Sequence, residues 1–176
     1  MKRSVLAALA GLALAYPAFA QSMGEKSGVN SVLGIAPKTA DFVKEAAISD
    51  LFEIQSSQLA QQKGNDQTKT FAGQMVADHQ KTTDELKGMV DSGKVKTALP
   101  TQMDKAHQKM LDKLKSLNGA DFDKQYDSDQ VSAHKQAVSL FDRYGKGGKD
   151  AALKDWAAKT LPTLQHHLEM AQGLKG

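Results

Sequence analysis

Apolar residues recur along this chain at three- and four-residue intervals, the spacing of one face of a helix, and the strict alternation of a strand is missing. The pattern predicts four long helices over about 39–62, 66–91, 121–144 and 149–174, with a shorter one over about 101–117. Thr39 after Pro37, Gly64-Asn65, Ser92-Gly93, Asn118-Gly119 and the run Gly145-Lys146-Gly147-Gly148 supply the starts and stops. Pro162 falls inside the last segment, where it is expected to kink the helix. Short turns after the first and third long helices imply two antiparallel hairpins. The thirty or so residues between them imply a crossover that carries the extra helix. The expectation is therefore all-α, a ferritin-like four-helix bundle over residues 39–176.

Each long helix interrupts its apolar stripe with a polar side chain. In FAGQMVADHQKTTDELKGMV, residues 71–90, Ala72, Met75, Val76, Leu86 and Val90 all project within roughly 60° of His79. His134 sits likewise among Val131, Val138 and Phe141, and His167 among Leu161, Leu164, Ala171 and Leu174. The first helix offers Glu53, between Ala46 and Ile54 in projection. Imidazole and carboxylate converging inside a bundle suit zinc, iron, manganese or copper, and a cation would offset the cost of burying them. Helical rise places Glu53, His79 and His134 within roughly 5 Å of one level and His167 roughly 6–10 Å higher, where Asp127 also falls. A transition metal or small ligand is thus expected to be held by Glu53, His79 and His134, with His167 as a further ligand or paired with Asp127. Asp127, Gln130 and Asp78 are candidates to support the ligands, and Asp123 is either another or a cap.

A competing reading stands beside this one. A histidine in an apolar stripe is commonly a core residue bonded to a nearby carbonyl. The chain would then be a non-catalytic helical envelope or stress-related interaction protein. An acid–base enzyme is a third reading, but no phosphate loop, G-x-S-x-G elbow or HExxH motif supplies a nucleophile, an oxyanion pocket or a metalloprotease site. His107, with Asp104 three residues before it, reads as packing of the crossover helix.

Composition narrows the setting. Lys2-Arg3, the apolar run Val5–Ala15 and Ala18-Phe19-Ala20 form a secretory leader over residues 1–20, so the mature chain is expected to be periplasmic or secreted, without stable membrane insertion. Losing that leader lowers the formal charge from +3 to +1, which removes the argument for nucleic-acid binding. Residues 21–38, rich in Gly and Ser, read as a flexible tail. With no cysteine, disulfides, thiolate metal sites and thiol catalysis are excluded.

The segments FVKEAAISDLFEIQSSQLA, FAGQMVADH, FDKQYDSDQVSAH with Leu140-Phe141, and LPTLQHHLEMA resemble a bacterial family called domain of unknown function 4142. The resemblance spans about Ala40 to Leu174. It implies an exported, ferritin-like domain and no assigned activity, and its members are often labelled membrane or outer-membrane proteins. True di-iron bundles carry Glu-x-x-His on two helices. Here Val76, Val131 and Leu164 stand three before the core histidines, so a di-iron carboxylate centre is not expected.

Overall fold

The computed structural model describes residues 29–174, and the leader and first part of the tail lie outside the described residues. Six helices follow one another: α1 Val29–Val32, α2 Thr39–Lys63, α3 Asp66–Asp91, α4 Lys105–Ser116, α5 Gly119–Gly147 and α6 Ala151–Gln172. No strand occurs among the described residues, and no helix there is long and apolar enough to cross a membrane. The chain is an all-α bundle. Helices α2 and α3 pack along their length, as do α5 and α6, and α4 lies on the crossover against α2 and α5.

The local signals for these elements are capping bonds. Asn65 begins α3 by accepting from the Thr68 N–H at 2.9 Å, and its own N–H donates to Asp123 at 3.0 Å. Asp123 is therefore a turn-fastening carboxylate. Asp104 begins α4 by accepting from both the N–H and Nδ1 of His107, at 2.9 and 2.8 Å. The crossover helix thus starts at Lys105 rather than near Thr101. Pro162 lies within α6 without ending it.

One expected break is displaced. Helix α5 runs through Gly145 and Gly147 and stops only at Gly148. The first two glycines serve close approach instead of chain reversal. A Cβ on Gly145 would stand 3.3 Å from the Ala158 nitrogen, and one on Gly147 would stand 3.0 Å from the Ala36 Cβ. The described part of the N-terminal segment indeed lies on the bundle. Pro37 is buried, the Ile35 carbonyl accepts from Arg143 Nη1 at 2.7 Å, and Ser31 and Ser139 hydroxyls meet at 3.2 Å.

At Gly148 the constraint is tighter. An added Cβ would fall 2.5 Å from the Tyr144 ring and 2.6 Å from its carbonyl oxygen. Tyr144 cannot yield easily, because it stacks on Phe42 at 3.9 Å between centroids and shares a 2.8 Å hydrogen bond with Thr39. Gly148→Ala is expected to lower stability by about 1–3 kcal/mol, the usual cost of overpacking. A urea midpoint equal to that of the unaltered protein would contradict this.

The core is divided. Phe42, Val43, Ala46, Leu86, Leu140, Phe141, Tyr144, Leu153 and Trp156 fill one end. Phe52, Ala60, Phe71, Met75, Leu111, Leu114, Phe122, Tyr126 and Ala171 fill the other. Along every long helix, the polar residue singled out by the sequence falls at the junction of these two apolar layers. A polar layer is therefore sealed from above and below.

Candidate metal centre

The four polar residues of this layer are among the most buried in the protein: Glu53 and His134 are 1 % exposed, His79 and His167 2 %. Helix geometry explains why they meet. Glu53 lies 10 residues before the end of α2 and His79 13 residues after the start of α3. Across the other hairpin, His134 lies 13 residues before the end of α5 and His167 16 after the start of α6. Side chains lean toward the N-terminus of their own helix, so the lower member of each pair leans up and the higher leans down.

All three histidines share one level. Their ring centroids form a nearly equilateral triangle, 5.6 Å for His79–His134, 5.5 Å for His79–His167 and 5.4 Å for His134–His167. Each offers one ring nitrogen within 4.8 Å of the others. His167 is thus not 6–10 Å above the rest, as its sequence position suggested. The discrepancy comes from the glycines at 145 and 147, whose helical conformation adds about one turn to α5 below His134.

Every ring is anchored from outside through one nitrogen, leaving the other without a hydrogen-bond partner. His79 Nδ1 meets Asp50 Oδ1 at 2.8 Å, His134 Nδ1 donates to the Gln130 carbonyl at 2.9 Å, and His167 Nε2 meets Asp78 Oδ2 at 2.8 Å. His79 Nε2, His134 Nε2 and His167 Nδ1 remain. Carboxylate or carbonyl anchoring of this kind fixes a histidine's tautomer and ring direction and makes its other nitrogen a better donor to a cation.

Asp50 is the residue the sequence reading missed. It is buried, and its second oxygen accepts from the Thr82 and Thr83 hydroxyls at 2.9 and 3.2 Å. The available signal was its spacing, one helical turn before Glu53. Asp78 does support a histidine, and is itself held by Gln74 Nε2 at 2.6 Å. The partner of His167 is therefore Asp78 on α3 and not Asp127 on α5. Gln130 is fully buried and serves His134 through its backbone oxygen, while its amide side chain lies beside the Glu53 carboxyl. His107 packs its ring edge against Phe52 at 5.6 Å and stays with Asp104, outside the cluster.

Glu53 completes the layer. Its Oε1 lies 3.9 Å from His134 Nδ1, and the Gln130 side chain is its polar neighbour within the layer. Burial pushes its carboxyl above the ordinary range, against the pull of His79, the Gln130 side chain and His167. For His79, burial opposes charge, but the hydrogen bond and charge of Asp50, with Glu53 and Asp78, prevail and raise its pKa. Burial brings His134 down to about 4, helped by the charge of His79. Burial likewise takes His167 to about 4, prevailing over its bond to Asp78, with the charges of His79 and His134 adding to the fall. Burial and neighbouring charge thus pull the three rings apart, His79 toward its protonated form and His134 and His167 toward the neutral one.

Energetics decide what such a layer requires. The three facing imidazole nitrogens, on His79, His134 and His167, are buried without a hydrogen-bond partner. At about 1–3 kcal/mol each, a buried nitrogen with no partner is a substantial cost against the 5–15 kcal/mol that stabilises a whole domain. A polar or cationic neighbour shared by the three would offset it. Three imidazole nitrogens within 4.8 Å of one another are donors of the kind a transition metal takes, and they would have to close to about 3.3 Å apart to make bonds of about 2.0–2.1 Å, whereas the Glu53 carboxylate lies in the layer but outside that trio.

A family model described as "Domain of unknown function (DUF4142)" matches residues 24–174. No curated protein and no solved structure matches the chain.

Proposed function

The chain belongs to the DUF4142 family, a domain of unknown function, and from the site itself we propose that it is an exported helical bundle holding one transition-metal ion. His79, His134 and His167 would supply imidazole nitrogens and Glu53 a carboxylate. The observation that carries this reading is the convergence of three anchored rings, each with its unpartnered nitrogen in the same sealed layer. Export rests on the leader pattern of residues 1–20, and the ferritin-like assignment on the resemblance and the order of two hairpins around a crossover.

The chemistry favours a borderline cation. Imidazole with one carboxylate suits zinc, copper, iron or manganese, whereas calcium and magnesium prefer oxygen donors throughout. Glu53 would be drawn back to its ionised form by a cation, which reverses the effect of its burial. Such a centre would serve metal handling or envelope stress.

The test is metal stoichiometry. Chelator-stripped mature protein is expected to take up one equivalent of zinc(II) or cobalt(II) per chain, with the cobalt form showing the visible bands of a low-coordinate site. His167→Ala should reduce uptake at least tenfold at equal protein concentration. Uptake of neither metal by a well-folded protein, or uptake indifferent to His167→Ala, would refute the proposal.

A further inference from the structure

A cation centre sealed between two apolar layers needs a way in, and one groove on the side of the bundle borders the residues that hold its histidines. A groove of about 540 Å³ runs between α3 and α6, lined among others by Asp78, Thr82, Lys81, Lys159 and Thr163. Two of these residues are the outer supports of the histidine layer. Asp78 anchors His167, and Thr82 bonds the Asp50 carboxylate that anchors His79. Asp78 is also the one anchoring carboxylate with substantial exposure, 29 % of its side chain.

We infer that this groove is the route by which a hydrated divalent cation reaches the histidine layer, with Asp78 as its first protein contact. This rests on the metal-site reading above. A carboxylate oxygen that faces solvent and bonds a ligating ring can exchange a water of the incoming ion. Swinging the Asp78 oxygen toward the ion frees His167 to turn, which opens the layer without unfolding either apolar core. The walls neither attract nor repel a cation strongly overall, since Lys81, Lys94 and Lys159 face Asp78, Glu85 and Asp155. Glu85 keeps its charge while accepting from Trp156 Nε1 at 2.9 Å, so the balance holds and one added carboxylate would tip the groove toward cations.

Rates separate a route from a mere surface dent. Thr163 is exposed, lines the groove and stands one helical turn before His167, so Thr163→Trp fills the passage without replacing any anchor or ligand. Stopped-flow mixing of stripped protein with cobalt(II) is expected to show association and dissociation both slowed at least tenfold, with the equilibrium constant unchanged. Lys159→Glu should instead speed association at low ionic strength. A control, Thr70→Trp, sits in a different cleft formed with Gln74 and Met170 and should leave the rates alone. Unchanged rates in Thr163→Trp, or equal slowing in Thr70→Trp, would overturn the route while leaving the centre intact. Failure of the unaltered protein to bind cobalt would remove both.

Discussion

Stripped of metal and then given zinc(II) at a thousandfold excess over its dissociation constant, the protein is expected to gain about 4 kcal/mol of stability. For a domain of this size that corresponds to a rise of about 8–16 °C in the unfolding midpoint. The same titration on His134→Leu should give almost no rise. The more telling comparison is between the two metal-free proteins. His134 Nδ1 is bonded only to the Gln130 carbonyl one turn earlier, an oxygen that also lies within helical hydrogen-bonding range of the His134 backbone N–H. Replacing the ring with leucine therefore strands no partner and removes one unpartnered buried nitrogen. Metal-free His134→Leu should be as stable as the metal-free parent, or more so. A histidine present only for packing and hydrogen bonding predicts the reverse: a loss in the metal-free variant and no zinc response in either protein. Differential scanning fluorimetry of the four samples decides between them.

Much of this was legible in the residues because helical periodicity is a strong signal. The face of His79 follows from the positions of Met75 and Leu86, and both prove buried beside it. Length along the bundle was harder to read. Gly145 and Gly147 look like a break in sequence, but the tight approach of α6 and the N-terminal segment makes them helical, and His167 drops to the level of its partners. Asp50 was missed because a carboxylate one turn from Glu53 looks like solvated charge until the second hairpin member delivers His79 and Thr82 to it. Asp127 was expected beside His167 from its height and from the face it shares with His134. Choice of partner depends on which helix faces which across the bundle, and periodicity within one helix does not contain that. In short, the ligands announce themselves by interrupting an apolar stripe, whereas their supports sit at stripe edges, where polar residues are ordinary.

Acid should weaken the metal-free protein well above the pH at which carboxylates titrate. His134 and His167 have folded pKa values near 4, against about 6.5 in an unfolded chain. Between those limits the unfolded state takes up protons that the folded state refuses, so stability falls as pH falls. Each histidine could cost up to about 1.4 kcal/mol per pH unit over that window. Three groups act in other directions. His79, with its pKa raised, stabilises fully below about 6.5 and loses that contribution only as pH rises through its folded value, outside the window. Glu53 and Asp129, both raised chiefly by burial, take up their protons in the folded state first and so offset part of the loss as pH drops. Asp78 and Asp104 have lowered pKa values and contribute their losses below the ordinary carboxylate range. The net expectation is a fall of about 2–4 kcal/mol between pH 6.5 and 4.5, allowing for the Glu53 and Asp129 offsets. Urea midpoints at pH 6.5, 5.5 and 4.5 measure it, and the double variant His134→Leu, His167→Leu should flatten the slope because neither refusing group remains. A parent and a double variant with the same slope would mean that the two rings accept protons in place, through neighbours other than those that hold them here.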